Sequence, residues 1–479
     1  MTDVAPVPPV GLARRGSVAL VAKVGTILFQ TLQFAMLARA LDRPTFASLA
    51  AGTALLTILG ALAEFGLLNV TVMALADGDD EPGVLRAALQ ASARLVVIAL
   101  GLAVVLTALL LRGDARLAVL VLVPWFVLSR IDVGFLAVHQ FHLRTGRLAL
   151  GDLLSRGVLV LAAVPVLVAG DSWSPARSLL VVGAGFFASE AVSLAVVAAG
   201  VSWRHPAPAG ATGALLRRAV PIGLTNASSL VHARSDQVLL DTLGRRTGLA
   251  AYAIAFRVNE AILALANAVG TVSFSVLART RGEERRRASR RFTALACGAA
   301  TVTALGSFVA APVVLAVVGG EEYRGSAVLA RLLVPALAVS VANLPVAQLV
   351  IVAGEVRTLL QLSVTSVVVN IVLTIAFVAA WDARGAAIAT SVTESLGFLA
   401  VAVVAHRALP GSVPWPVVAL VPIVATAVPW AALHLWDHGA RPLAAALVAA
   451  GLVAVGVAVG QALRTGGPVP ASADAAVGS

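Results

Sequence analysis

The chain has 479 residues, of which 59% are hydrophobic and 12% are charged, and its mean hydropathy is +0.95. Soluble domains carry roughly 25% charged residues, so this composition excludes a soluble enzyme. A membrane-spanning helix uses about 20 apolar residues, and about fourteen such helices would take up most of the chain. The sequence therefore predicts an all-α polytopic membrane protein with no large domain outside the lipid.

Little in the chain is suited to holding a metal or a cofactor. Cys297 is the single cysteine, the seven histidines show no metal-ligand spacing, and no glycine-rich phosphate loop is present. The net charge of +11 fits cytoplasmic loops that face anionic lipid better than it fits a nucleic-acid partner. We therefore expect no metal, no cofactor and no nucleic-acid partner.

Apolar stretches separated by charged or Pro/Gly-rich breaks predict fourteen spans. In chain order they are 17–38, 46–74, 88–111, 117–138, 148–169, 178–201, 215–242, 248–278, 291–318, 327–353, 358–380, 384–406, 415–436 and 441–463. They divide into a first six-helix lobe (17–201), a cytoplasmic linker (202–214), a second six-helix lobe (215–406) and an extra helix pair (415–463). Residues 1–16 and 464–479 are predicted to be disordered tails, the first of them cytoplasmic.

The arginine distribution predicts that both termini are cytoplasmic. With the N-terminus inside, 18 arginines fall in cytoplasmic segments and 10 in the opposite loops, which is the bias expected of inner loops. Seven of the 18 lie between Arg279 and Arg291. We interpret that segment as a solvated loop that lies on anionic lipid and sets the topology.

A short internal repeat joins the first two helices of each lobe. Residues 41–45 read LDRPT and residues 243–247 read LGRRT. Six helices separate the copies, so both have the same orientation in the membrane. Parallel repeats of this kind build two lobes around an axis along the membrane normal, with a substrate path between them.

Ionisable residues inside the predicted spans are costly at mid-bilayer and usually face a partner or a wet cavity. They concentrate in the first eight spans: Lys23, Glu64, Arg94, Arg130, Asp132, Asp152, Arg156, Glu190, Arg234, Asp236, Asp241, Arg257 and Glu260. Arg257 and Glu260, like Asp152 and Arg156, share a helix face. Such pairs either neutralise one another and hold helices together or line a water-filled cavity. Arginines in a cationic cavity would hold an anionic group such as pyrophosphate.

Two motifs, one near the start of each predicted lobe, carry a family resemblance. The first is Glu64-Phe65-Gly66-Leu67, reached through a loop with Ala47 in place of the usual glycine. The second is Pro221-Ile222-Gly223, followed by Arg234, Asp236 and the run from Tyr252 to Arg257. With these motifs the chain resembles bacterial oligosaccharide flippases of the Wzx type.

The resemblance continues through residues 314–339, Asn370 and residues 384–390, and covers roughly residues 15–410. It implies a member of the multidrug/oligosaccharidyl-lipid/polysaccharide (MOP) exporter superfamily. Members of that superfamily have two parallel six-helix lobes around a central cavity and work by alternating access. The extra C-terminal helix pair would offer a groove for a lipid tail.

The resemblance and the buried charges together give candidate site residues. We expect Lys23, Arg130, Arg234 and Arg257 to form a substrate-binding cavity and Glu64, Asp236 and Glu260 to be candidate coupling carboxylates for an ion gradient.

The implied function is translocation of undecaprenyl-pyrophosphate-linked oligosaccharide across the bacterial cytoplasmic membrane for cell-surface polysaccharide biosynthesis, without enzymatic activity. Its partners would be that lipid-linked glycan, membrane lipids, a polysaccharide polymerase and glycosyltransferases.

Other classes remain open. A major-facilitator transporter would usually carry a basic Gly/Asp/Arg motif between its second and third helices, where this chain has residues 77–81, DGDDE. A drug/cation antiporter or a lipid II-type flippase of the same superfamily is an alternative. A membrane glycosyltransferase or polymerase that uses the same lipid carrier would generally need a longer outer loop or an acidic metal motif.

Overall fold

The computed structural model describes residues 9–77, 80–142, 144–169, 172–203 and 205–466, and every regular element in these ranges is helical. The helices are α1 (Pro9–Ala40), α2 (Arg43–Glu64), α3 (Leu67–Ala76), α4 (Glu81–Leu110), α5 (Asp114–Phe141), α6 (Thr145–Ala169), α7 (Pro175–Ala198), α8 (Ala211–Thr242), α9 (Arg246–Arg279), α10 (Gly282–Gly319), α11 (Ala327–Val352), α12 (Val356–Trp381), α13 (Ala383–Ala408), α14 (Trp415–Asp437) and α15 (Arg441–Gly466). A 3-10 helix at Glu321–Ser326 joins α10 to α11. The predicted all-α fold is confirmed.

The helices are long enough to cross a bilayer. In the described part of the chain, eleven helical segments are long and apolar enough to do so, with α2 and α3 counted as one segment. The more polar α1, α8 and α9 have 32, 32 and 34 residues, which also exceeds the length of a span. These fourteen segments match the fourteen predicted spans in order.

The terminal helices extend past their predicted limits. α1 begins at Pro9 and α15 ends at Gly466. Residues 1–8 and 467–479 lie outside the described residues, so the predicted disorder of the tails stays a prediction.

The predicted span 46–74 is two helices. α2 ends at Glu64, and the chain then passes through Phe65 (φ 43°) and Gly66 (φ 73°) before α3 begins. Both residues adopt the left-handed conformation, which interrupts the helix. A Cβ on Gly66 would lie 2.8 Å from Ile222 Cγ2, so the break fits closely against α8.

The arginine-rich segment is a helix, not the predicted loop. α10 begins at Gly282, nine residues before the predicted span, and its first turn contains Glu283 and Glu284. Acidic side chains stabilise a helix N-terminus. Arg286 and Arg287 pair with Glu283 at 2.8 and 3.4 Å, three and four residues along the helix.

The helices group into two compact units. The first unit is Met1–Ile254 with Ala316–Glu322, and the second is Ala255–Leu315 with Tyr323–Ser479. In the first unit, α1 packs on α6, α6 on α7, α5 on α7 and α2, and α8 on α2 and α4. Because α8 packs on α2 and α4, the division between the compact units falls inside α9. The predicted six-helix lobes and the linker at residues 202–214 stay a prediction.

The second unit packs α11 and α12 on α13, and α14 on α15 and α11. Its core consists largely of alanine and valine side chains with Phe398 and the buried Cys297. α12 and α13 join through Asp382, and a Cβ on Gly385 would overlap the backbone of Phe377. Gly385 therefore permits the close approach of these two helices, as small residues do in membrane proteins.

Candidate functional site

A cavity of about 590 Å³ lies within the first unit. It is formed by α1, α2, α3, α5, α6 and α7, and many of its lining side chains are charged or hydroxylated. The polar and aromatic lining residues are Thr26, Glu64, Trp125, Ser129, Arg130, Asp132, Gln140, Asp152, Ser155, Arg156, Ser189, Glu190 and Ser193. So many polar groups within apolar helices are typical of a water-filled cavity, which makes this cavity the candidate site.

Arg130 on α5 faces Glu64 at the end of α2. Its Nη1 lies 3.6 Å from Glu64 Oε2 and donates to the Gly60 carbonyl oxygen at 3.2 Å. The two side chains are 20% and 32% exposed. This pair joins a predicted binding arginine to a predicted coupling carboxylate, directly before the helix break at Phe65.

A second pair lines the same cavity from α6. Arg156 Nε lies 3.4 Å from Asp152 Oδ1, and Thr26 of α1 donates to Asp152 Oδ2 at 2.7 Å. The predicted pairing of Asp152 with Arg156 is confirmed. The threonine bond ties α1 to α6 at the cavity wall.

Asp132 on α5 and Glu190 on α7 form a carboxyl pair. Both side chains line the cavity and interact with each other, and Asp132 is only 6% exposed. The pair places two sets of hydrogen-bond acceptors side by side on the cavity wall.

Carboxyl groups outnumber guanidinium groups in this lining, and the cationic cavity predicted from sequence stays a prediction. Glu64, Asp132, Asp152 and Glu190 face two guanidinium groups, so carboxyl groups are in excess among the described lining residues. That Lys23, Arg234 and Arg257 bind substrate stays a prediction. The Lys23 side chain lies outside the described part of the structure.

Asp236 and Arg234 lie on α8 of the first unit and do not line this cavity. Asp236 is 1% exposed, and its carboxylate accepts hydrogen bonds from the Gln237 amide at 2.8 Å and from the Tyr252 hydroxyl. Because Tyr252 is on α9, this bond ties α8 to α9. The proposed coupling role of Asp236 stays a prediction.

Arg257 and Glu260 lie on α9 in the second unit. Arg257 Nη1 is 2.9 Å from Glu260 Oε2, so the pair predicted from spacing is confirmed. A cavity of about 300 Å³ in this unit is lined mainly by small and apolar residues of α9, α10 and α11, and neither Arg257 nor Glu260 is among them. Their roles in substrate binding and coupling stay predictions.

The sequence identified the charges of the first cavity but did not join them into one site. Arg130 and Asp132 are two residues apart and do not pair with each other, as predicted; each has a partner on another helix. Trp125 and the serines of α7 carried no signal in the sequence, because aromatic and hydroxyl residues are common in membrane helices.

Among the described residues, no group of three or more His, Cys, Asp and Glu is arranged to hold a metal ion.

The sequence profile of a family described as polysaccharide biosynthesis protein matches residues 12–281. The chain belongs to this family. The match runs from α1 to the segment before α10, and includes both lobe-opening motifs. No match is found among curated protein sequences.

Three solved structures show the fold of this family member. The lipid II flippase MurJ in an inward closed conformation covers 93% of this chain and 99% of its own, with a TM-score of 0.72 and 11% identity. An inward-facing multidrug resistance MATE transporter of the MOP superfamily covers 82% and 98%, with a TM-score of 0.65 and 16% identity. A MOP superfamily transporter from Pyrococcus furiosus, with a binding pocket of reversed polarity, covers 82% of this chain and 96% of its own, with a TM-score of 0.53 and 13% identity. The family member therefore has a MOP-superfamily fold.

Proposed function

We propose that this protein is a flippase that carries an undecaprenyl-pyrophosphate-linked oligosaccharide across the cytoplasmic membrane by alternating access. Membership of the polysaccharide biosynthesis family supports a glycan substrate, and the fold supports transport across a bilayer. The observation that carries the proposal is the polar cavity inside the first unit. Its volume of about 590 Å³ falls within the range of small-molecule sites, about 300–1,000 Å³.

The lining offers the groups that a sugar headgroup needs. Carboxylates accept hydrogen bonds from sugar hydroxyls, and the serine hydroxyls both donate and accept. The Trp125 ring provides an apolar face beside them. A headgroup with many hydroxyls can thus replace its water shell inside the cavity, while the lipid tail stays in the membrane.

Arg130 is the group best placed to bind a phosphate. Its guanidinium already has Glu64 as a counterion, so an incoming phosphate competes for the same donors. When the phosphate displaces Glu64, the carboxylate loses its partner and gains from taking up a proton. Substrate binding and proton uptake are coupled in this way, and a proton gradient or the membrane potential would drive the return.

The excess of carboxyl groups supports a second candidate. Four carboxyl groups facing two guanidinium groups would also bind an organic cation, as in a drug/cation antiporter of the same superfamily. The two candidates differ in the effect of neutralising a carboxylate. Cation transport would fall with each lost carboxylate, whereas flipping of a pyrophosphate-linked glycan depends first on Arg130.

The test is reconstitution of the full chain in vesicles that contain a fluorescent undecaprenyl-pyrophosphate disaccharide. Access of a membrane-impermeant quencher reports how much substrate has changed leaflet. We expect Arg130→Ala to slow flipping about tenfold or more, the effect of losing one charge-assisted contact to phosphate. Glu64→Gln is expected to flip without responding to an imposed proton gradient.

Arg94→Ala is the matched control. Arg94 is also an arginine within a spanning helix, but it is exposed and does not line the cavity. Equal flipping by Arg130→Ala and Arg94→Ala would contradict the proposed role of Arg130. Efflux of ethidium by the parent protein, with no movement of the lipid-linked disaccharide, would favour the antiporter.

A further inference from the structure

The C-terminal end of α10 packs with the first unit. Residues Ala316–Glu322 complete α10 and enter the 3-10 helix, yet they belong with Met1–Ile254, whereas the rest of α10 does not. Two arginines at the α1–α2 turn bind this segment. Arg39 donates to the carbonyl oxygens of Ala316, at 3.4 Å, and Val317. The last turn of a helix leaves carbonyls without intrahelical partners, and a cation there is favourable.

Arg43 extends this contact to the 3-10 helix. Its Nη2 donates to the Glu322 carbonyl oxygen at 2.7 Å, and its Nε lies 3.6 Å from the Glu322 carboxylate. The two side chains are 33% and 54% exposed. The first copy of the internal repeat, residues 41–45, therefore binds the turn that follows α10.

The second copy of the repeat makes the corresponding contact. Arg246, at the start of α9, donates to the carbonyl oxygen of Arg112 in the α4–α5 turn. Its Nε lies 3.1 Å from Asp241 Oδ1, a carboxylate that is buried and fixes the guanidinium. A Cβ on Gly113 would lie 3.3 Å from Arg246 Nη1, so the arginine lies directly over the turn.

The two contacts are reciprocal with respect to the repeat. When α2 and α3 are counted as one segment, α4 is the third helical segment of the first predicted lobe and α10 is the third of the second. Within the first unit, the turn that carries the repeat in each lobe therefore binds the turn that follows the third segment of the other lobe. Each bound turn contains a glycine at positive φ, Gly113 at 49° and Gly320 at 102°. Two contacts related in this way indicate one shared role.

We propose that Arg39 and Arg43 on one side, and Arg246 on the other, form a reciprocal latch that closes the face of the protein carrying these turns and opens once in each transport cycle. The arginine distribution predicts this face to be extracytoplasmic. The proposal rests on the proposed function for its consequence in export, but closure itself can be measured without substrate. Half-exposed arginine contacts contribute little stability individually, which suits contacts that must break and re-form.

The experiment uses a cysteine reporter in the first cavity. The natural Cys297 is buried, so Ser193→Cys, at a half-buried lining position, supplies a thiol on a low background. Intact cells are treated with a membrane-impermeant maleimide. We expect Arg43→Glu to raise the labelling rate about three- to fivefold, because loss of a half-exposed ion pair shifts a two-state population by about that factor. Arg43→Glu combined with Glu322→Arg should return the rate to that of the parent.

Arg177→Glu is the control, since Arg177 lies on the same predicted face and stacks on Trp173. It should leave labelling unchanged. Unchanged labelling in Arg43→Glu, or a rise that Glu322→Arg does not reverse, would overturn the latch. Labelling as expected in a protein that moves no lipid-linked glycan would instead overturn the proposed function and leave the latch standing.

Discussion

Asp236 is the most buried of the three predicted coupling carboxylates. It is 1% exposed, whereas the side chains of Glu64 and Glu260 are 32% and 28% exposed. A coupling carboxylate must exchange a proton or ion with water, and Glu64 lines a cavity in which that exchange can occur. The hydrogen bond from Tyr252 joins Asp236 to α9. We therefore propose that Glu64 is the coupling carboxylate and that Asp236 holds α8 to α9.

Substitution can separate these two tasks. Asp236→Asn keeps an acceptor for Tyr252, so we expect transport and its response to a proton gradient to persist. Tyr252→Phe removes the donor and should lower stability by about 0.5–2 kcal/mol, the range for one interhelical hydrogen bond in a membrane protein. Thermal unfolding in detergent measures the second effect. If Asp236→Asn abolishes the gradient response while folding normally, Asp236 and not Glu64 is the coupling group.

Spacing along one helix predicts pairs, but it does not predict partners on other helices. Arg257–Glu260 and Asp152–Arg156 were predicted from intervals of three and four residues, and both pairs form. Arg130 with Glu64, and Asp132 with Glu190, meet only because α5 packs against α2 and α7. No periodicity in the sequence encodes that packing, so the cavity could not be assembled from the sequence alone.

At the scale of elements, two sequence motifs of separate helices contact one another. Phe65 and Gly66, which interrupt α2 and α3, pack against Ile222 and Gly223 of α8. Pro221 lies inside α8 and weakens the helix at the same level, because proline lacks a backbone donor. The sequence predicted one continuous span here, since nothing in this apolar run distinguishes Gly66 from Gly52 and Gly60. The contact places the end of α2, with Glu64, directly beside a weak point of α8.

This close fit predicts a stability loss at Gly223. A Cβ there would overlap the Phe65 ring, so Gly223→Ala should destabilise the protein by about 1–3 kcal/mol, despite the better helix propensity of alanine. Thermal unfolding of the purified protein measures this loss. Gly213→Ala is the matched control, because Gly213 is on the same helix and has no neighbouring atoms within 4 Å of such a Cβ.

Phe65 itself supplies the complementary experiment. Trimming the ring with Phe65→Leu should recover part of the stability that Gly223→Ala removes, because the two substitutions act on one contact. If the two losses simply add, the packing of Phe65 on Gly223 is not what holds the break in place.

At the scale of the whole molecule, the orientation in the membrane depends on one segment. The excess of the 18 arginines predicted to be inside over the 10 predicted to be outside comes almost entirely from the seven between Arg279 and Arg291. Without those seven, the counts are 11 and 10. The structure adds that most of this segment forms the start of α10, where Arg290 donates to the Gly411 carbonyl oxygen at 3.3 Å. The segment thus also holds the α13–α14 turn, a role that its charge alone did not predict.

Two replacements of the whole segment test whether its positive charge sets the orientation in the membrane. Replacing the seven arginines by glutamine should give a mixture of two orientations, because the remaining bias is too small to direct insertion. Replacing them by lysine should preserve a single orientation with both termini cytoplasmic, because lysine and arginine count alike in topology. Reporter fusions at the C-terminus, active on one side of the membrane only, measure the outcome. A single orientation in the glutamine variant would show that the remaining loops direct insertion. The seven positions are Arg279, Arg281, Arg285, Arg286, Arg287, Arg290 and Arg291.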